Sequence, residues 1–290
     1  MKRLLWGLAG LGAVTAALVG TALTLSERKA ARIVPVQAKA LPYVVDAAAL
    51  QRGRYLYATR GCVDCHGADG AGREFVNDGR GLRLAGPNIT VAGVTRGYTE
   101  VDWVRTLRHG VRPDGRPVRV MPSEDYARLT DADLAALIAH VRALPAVAGG
   151  MQAVVELPWV ARVAHGLGQI PDAVERIAAL GPAPDGPMHP GAYAANMCIG
   201  CHGPGLSGGR IPGAPPDWPA APNLTPGEGS AMARYADAAS FVRLMRTGKS
   251  PDGRAVTVMP FESFAHVDEA ELLALHAHLR SLAPRAPGGR

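Results

Sequence analysis

The sequence predicts a mainly α protein: an N-terminal membrane helix over residues 1–30, followed by two tandem domains related by internal duplication. The domains are expected at 45–145 and 188–285, with a linker at 146–187. Three observations predict this. Residues 4–25 carry no charge. Residues 103–144 fall on 241–282 without a gap, and about half of the aligned positions are identical. Each copy ends in a stretch with apolar residues at helical spacing, and no strand-like alternation of useful length appears anywhere.

The N-terminal segment opens with Lys2 and Arg3. Its uncharged run is long enough for a helix to cross a hydrocarbon layer of roughly 30 Å. A cleaved signal peptide is the alternative, because Gly20-Thr21-Ala22 offers small residues at a cleavage position. The run is long for a signal, which favours an uncleaved anchor. Arg28, Lys29 and Arg32 outnumber the two cations before the segment, so the positive-inside rule does not orient it.

Each copy reads as helices joined by loops. In the first, Asp46 caps a helix running through Leu50, Arg54 and Tyr55 into Cys62; residues 190–197 do the same in the second. A glycine-rich loop follows, with Gly86-Pro87-Asn88-Ile89-Thr90 matched by Ala221-Pro222-Asn223-Leu224-Thr225. Thr99 then caps a short helix, with Asp102 three residues on and Gly110 as the stop. Asp237 and Gly248 repeat the signals. Pro-Asp-Gly turns at 113–115 and 251–253 come next. Thr130 caps the last helix, with Asp133 in capping-box position, and Leu134, Leu137, Ile138, Val141 and Leu144 share one face. Asp268, Glu271, Leu272, Leu275, Leu279 and Leu282 repeat that pattern. In the linker, Trp159, Val160, Val163, Leu167 and Ile170 form an apolar face. It serves either packing between the domains or docking to a partner or a membrane surface.

The chemistry lies in Cys62-Val63-Asp64-Cys65-His66 and Cys198-Ile199-Gly200-Cys201-His202. C-x-x-C-H is the attachment pattern for c-type haem. Two thiols reach the two vinyl groups of one porphyrin, and the adjoining histidine stands over the iron. Both copies together use all four cysteines. One zinc held by two C-x-x-C pairs is a weaker reading, because the pairs lie far apart and zinc does not require the adjoining histidines. A thioredoxin-like motif needs a βαβ context that is not visible, and a disulfide across two residues is strained. The expectation is two covalently bound haem c groups in two cytochrome c domains.

Composition agrees. Aromatics make up only 5% of the chain, while Gly (35) and Pro (24) are frequent. Buried porphyrins would supply the flat apolar surface that the side chains do not. The formal charge of +6 is offset by two propionates on each haem. No basic helix or aromatic-interleaved patch points to nucleic acid. Haem attachment takes place outside the bacterial cytoplasmic membrane, so the bulk of the chain is expected on the periplasmic side.

The sixth iron ligand decides function. Met121 and Met259 are the methionines at matched positions in both copies, and each precedes proline. With His66 and His202 they give histidine–methionine iron. His140 and His278 also recur, but on the flank of the last helix, and His109 and His266 have no counterparts. Histidine–methionine ligation fills the iron and raises its potential, so such a centre passes electrons rather than binding substrate. Asn88 and Asn223 are candidates to hydrogen-bond a propionate or to fix their loop. Arg108, Arg246, Arg116 and Arg254 are candidates to neutralise propionates or to lie solvated.

With these landmarks the chain resembles the multihaem cytochrome c subunits of membrane-bound bacterial dehydrogenases that oxidise alcohols, aldehydes or gluconate. The resemblance covers roughly 45–145 and, more loosely, 188–285. It implies class I cytochrome c domains, a catalytic dehydrogenase subunit as donor, and an oxidase, quinone or soluble cytochrome as acceptor. It departs from the best-known members in having two haem motifs instead of three. The expected function is a membrane-anchored periplasmic diheme electron carrier. The alternative is a diheme redox enzyme, of peroxidase or thiosulfate-oxidising type, with one open haem.

Overall fold

Helix α1 (Lys2–Ala31) runs unbroken through Gly20-Thr21-Ala22. Its apolar side chains are exposed along most of its length, and only Ala22 and Ser26 are buried. The structure, a computed structural model, describes residues 2–42, 44–184 and 186–289. Met1 of the expected membrane segment and Asp185 of the expected linker lie outside these residues.

In the first half, α2 (Ala47–Thr59) starts where Asp46 accepts a hydrogen bond from Ala49 N at 2.8 Å. It does not continue to Cys62. Gly61 takes a left-handed conformation, and α3 (Cys62–His66) begins afresh on a new axis. The break aims the C-x-x-C-H residues away from the α2 line. Helix α4 (Glu100–His109) has the expected Thr99–Asp102 capping box and stops at left-handed Gly110. Helix α5 (Ser123–Tyr126) follows Met121-Pro122 directly, and α6 (Asp131–Ala143) buries Leu134, Leu137, Ile138 and Val141.

Strands are present, against expectation. β1 (Arg73–Asn77), β2 (Arg83–Gly86) and β3 (Val154–Glu156) form an antiparallel sheet in the order β1-β2-β3. They are too short to show a period of two, and β3 pairs from beyond α6, so no local pattern announces it. The fold remains mainly helical. The region expected as a linker is also structured. It carries β3, α7 (Trp159–Gly166) and α8 (Ala173–Ala179).

The second half repeats the order. α9 (Pro190–Ala194) leads through a 3-10 turn into α10 (Ile199–His202). α11 (Ala238–Thr247), α12 (Phe261–Phe264) and α13 (Glu269–Ser281) complete it. α2 packs on α6, and α9 packs on α13. Glycine permits both approaches: a Cβ on Gly53 would collide with the Ala136 carbonyl oxygen, and one on Gly191 with that of Ala274. Leu56, Val104, Leu134, Leu137, Ile138 and Val141 anchor one apolar cluster. Phe241, Leu244, Leu272, Leu275 and Leu279 anchor the other.

The halves join through reciprocal contacts. Tyr193 Oη donates to Asp133 Oδ2 at 2.6 Å and accepts from Thr130 N at 3.2 Å. Tyr55 Oη donates to Glu271 and accepts from Asp268 N at 3.1 Å. Each tyrosine thus serves the N-terminus of the other half's last helix. This changes the expected caps. Thr130 accepts from Asp133 N at 3.1 Å, but the Asp133 carboxylate turns to Arg52 and Tyr193 instead of back to Thr130. The Asp268 side chain makes no capping bond, and its backbone N–H donates to the Tyr55 hydroxyl, the place a capping-box Glu271 would otherwise take. A second pair repeats the exchange. Ser263 Oγ donates to Asp64 Oδ2 at 2.6 Å, and Gly200 N donates to Asp125 Oδ1 at 3.0 Å.

Candidate cofactor site

Both C-x-x-C-H segments open onto one continuous cavity of about 1780 Å³. Cys62, Cys65, His66 and Met121 line it from one half; Cys198, Cys201, His202 and Met259 line it from the other. Pockets for single small molecules are typically about 300–1,000 Å³, so this space exceeds one such ligand. Its walls are largely apolar, with Trp103, Leu137 and Val141 on one side and Phe241, Leu275 and Leu279 on the other.

The two histidines are held alike. His66 Nδ1 lies 2.9 Å from Pro87 O, and His202 Nδ1 lies 2.8 Å from Pro222 O. A carbonyl oxygen only accepts, so each Nδ1 carries the proton. That tautomer leaves Nε2 with a free lone pair, as a metal ligand requires. Burial lowers the affinity of His66 for a second proton, and the Pro87 bond only partly opposes this. The prolines explain why the Pro-Asn dipeptide recurs. It is the proline carbonyl that the site uses.

The asparagines do other work. Asn88 Nδ2 donates to Val147 O at 2.8 Å and Gly149 O at 3.1 Å, and its Oδ1 accepts from Thr90 N and Thr90 Oγ1. Asn223 Nδ2 donates to Arg285 O at 2.9 Å, and its Oδ1 accepts from Thr225 in the same way. Both side chains are buried, and neither lines the cavity. Each ties the proline-bearing loop to the chain that follows the half's last helix.

None of the four cysteines is in a disulfide. Burial pushes Cys62, Cys65 and Cys198 each up to about 12, so none is poised as a thiolate nucleophile. Among the described residues no group of three or more His, Cys, Asp or Glu side chains converges to hold a metal ion. Thioether attachment needs paired thiols beside a flat apolar space, and both pairs have one. The residues present therefore fit a porphyrin at each motif.

Arginine surrounds the space. Arg73, Arg96, Arg112, Arg116, Arg119 and Arg234 all line it, which suits an anionic group at its edge. Of the arginines singled out by the repeat, only Arg116 is among them. Arg108 instead donates to Asp131 Oδ1 and Leu129 O, Arg246 donates to Ala265 O, and Arg254 pairs with Asp252.

Other methionines share the cavity: Met197, Met232 and Met245. Met232 and Met245 are buried core residues, whereas Met121 and Met259 lie in the loops before α5 and α12. Arg176 on α8 is a site residue that the sequence did not disclose. Its guanidinium donates to Met121 O at 2.9 Å, Pro171 O at 2.9 Å and the buried Glu124 at 2.6 Å. It has no counterpart in the second half, so comparing the two copies could not find it. His140 and His278 do not line the cavity, and His140 stacks edge-on against Tyr57.

Comparison with known proteins agrees with this geometry. Residues 48–141 match the family described as cytochrome C oxidase, cbb3-type, subunit III. The fructose dehydrogenase cytochrome subunit of Gluconobacter japonicus is 26% identical over 269 residues, covering 83% of this chain and 54% of that protein. The cytochrome c subunit of the quinone alcohol dehydrogenase of Gluconobacter oxydans is 26% identical over 279 residues, covering 84% and 57%. The gluconate 2-dehydrogenase cytochrome c subunit of Pantoea cypripedii is 35% identical over 103 residues, covering 32% and 22%. The chain thus spans little more than half the length of the first two. Residues 48–141 thus resemble a family of cytochrome c oxidase subunits, and the chain as a whole resembles the cytochrome c subunits of dehydrogenases.

Proposed function

We propose that this chain is a diheme c-type cytochrome that accepts electrons from a dehydrogenase subunit and passes them toward a respiratory acceptor. In this reading residues 45–145 and 188–285 are duplicated cytochrome c domains. Helix α1 anchors them to the cytoplasmic membrane, with the haem domains on the periplasmic side. The single observation that carries the reading is the paired geometry of His66 and His202. Each donates Nδ1–H to a proline carbonyl and so presents Nε2 to a shared cavity that also holds Met121 or Met259.

Bound haem supplies a one-electron iron couple. The protein does the rest. Cys62 and Cys65 would tether one porphyrin, and Cys198 and Cys201 the other. His66 with Met121, and His202 with Met259, would be the axial pairs. Arg176 holds the Met121 loop from behind. The apolar walls exclude water, which favours the less charged ferrous state. The Asp64–Ser263 and Asp125–Gly200 bonds fix the two attachment segments across one interface. The two haems, held by the two halves, would pass electrons from a dehydrogenase toward an acceptor, which is an oxidase, a quinone or a soluble cytochrome.

The test is spectroscopic. Haem content per chain should be two. The dithionite-reduced spectrum should not change on adding carbon monoxide, because both irons carry six protein and porphyrin ligands. A carbon monoxide shift on about half of the haem would instead show one open iron and favour a diheme enzyme.

A further inference from the structure

Helix α7 presents an apolar face that is largely uncovered among the described residues. Trp159, Val160 and Leu167 are 61%, 57% and 58% exposed. With Val163 they fall within an arc of about 100° at the helical increment of 100° per residue. A soluble surface does not favour a tryptophan and two aliphatic side chains gathered on one short helix.

The place of this helix identifies what covers it. α7 packs against the C-terminal part of α1. Gly166 sits so close to Ala22 that a Cβ would meet the Ala22 carbonyl oxygen. Ser26 Oγ and His165 Nδ1 are 2.8 Å apart in a buried contact. Arg162 pairs with Glu27 at 2.6 Å, Lys29 with Glu175 at 2.7 Å, and Arg32 with Asp172. The Gly166, Ser26–His165 and Arg162–Glu27 contacts fix α7 against α1 in height and rotation, and the Lys29 and Arg32 pairs tie the following α8 to the end of α1. Trp159 then lies in a groove with Val19, Gly20 and Leu23, within the uncharged stretch of α1. Glu27 and its partner Arg162 mark the polar level above. Four to eight residues separate Glu27 from Leu23 and Val19, or roughly 6–12 Å at the helical rise. That is about the depth at which an interfacial helix seats its apolar face.

We infer that α7 lies in the headgroup layer of the same bilayer that α1 crosses, with Trp159, Val160 and Leu167 in contact with lipid. Trp159 takes the interfacial position that tryptophan favours at membrane boundaries. The occupant is lipid because the exposed face is continuous through Trp159 with the apolar surface of α1, and Arg162, about 110° from the centre of that face at 100° per residue, turns away to Glu27. The inference rests on reading α1 as a membrane anchor. It adds a second attachment, which holds the haem domains at a fixed height and tilt above the bilayer.

Full-length, haem-loaded protein in phosphatidylcholine vesicles with a diazirine on the acyl chain tests both readings. Illumination should leave adducts on α1 within residues 4–25 and on residues 159–167, and none on the exposed loop at 91–97. Adducts on α1 alone would overturn the inference and leave the anchor intact. Adducts on neither would overturn both. In a second measurement, Leu167→Cys and Val91→Cys each add one free thiol beside the haem-bound cysteines. Cys at 167 should react more slowly with a charged maleimide in vesicles than Cys at 91, and equal rates would again overturn the inference.

Discussion

At the residue scale the proposed function would turn on one sulfur and one nitrogen per iron. Pro87 and Pro222 fix the nitrogens through their carbonyls. Replacing either methionine should therefore change one centre and spare the other. Met121→Ala or Met259→Ala is expected to lower the potential of one haem and open that iron to carbon monoxide, as read by redox titration and by reduced spectra. If both substitutions left the potentials unchanged, the axial assignment would be wrong. Arg176 offers a sharper test, because the second half has no equivalent. Arg176→Met removes the donor to Met121 O and strands Glu124, whose side chain is 4% exposed. A buried polar group left without its partner costs about 1–3 kcal/mol, and more when charged. Melting should fall accordingly, and carbon monoxide should reach the Met121 iron but not the Met259 iron. A lower melting temperature with no carbon monoxide binding would mean that Arg176 serves stability alone.

Among the elements, the N-termini of α6 and α13 show what crosses between the halves. Tyr193→Phe leaves Thr130 N and Asp133 without the hydroxyl, and Tyr55→Phe does the same to Asp268 N and Glu271. Each change is expected to cost about 1–3 kcal/mol, measured by denaturant unfolding of the haem-loaded protein. Acid should weaken the Tyr193 site. Burial raises the Asp133 carboxyl, but hydrogen bonds from Arg52 and Tyr193 outweigh it and hold the group below its ordinary 3.8. A carboxylate depressed on folding contributes fully above its unfolded value, and the contribution is lost as pH falls through the folded one. The urea midpoint of Asp133→Asn should accordingly fall less steeply than that of the parent as pH drops below about 3.9. The helices were legible in the sequence because their signals are local. Asp46, Thr99 with Gly110, and Asp237 with Gly248 mark ends through their own side chains and backbone. The tyrosine caps were not legible, because Tyr55 and Tyr193 act on helices that lie far off in sequence. β3 escaped for the same reason, and α7 and α8 because a region without a duplicate offers no internal comparison. The histidines and cysteines that line the cavity were legible from spacing alone. The part played by Asn88 and Asn223 was not, since a buried amide bonded to Val147 O or Arg285 O looks in sequence like any turn asparagine.

For the whole molecule, the question is whether the two halves behave as one body. Arg60 and Glu271 form the most enclosed ion pair between them, with side chains 5% and 17% exposed, and Tyr55 shares the same carboxylate. Removing water from two charges is costly, and their attraction repays it only while both remain. Glu271→Met should therefore be severe, roughly 3–5 kcal/mol, because it leaves Arg60 buried and unpaired. Arg60→Met together with Glu271→Met should recover much of that loss, since apolar pairs often replace buried ion pairs at little cost. The shape of the unfolding curve carries the further information. If the pair couples the halves, urea unfolding of the parent is a single transition, and Glu271→Met splits it in two as each half melts at its own midpoint. The double variant should restore one transition. If the single variant were destabilised by the same amount yet still unfolded in one step, the coupling would have to reside in the tyrosine exchanges and the Asp64–Ser263 and Asp125–Gly200 bonds. Under the proposed function, electron transfer between two fixed centres would need such coupling. Loosening the interface lets the two attachment segments drift apart, so the split in unfolding should be accompanied by slower electron exchange between the haems of the same chain.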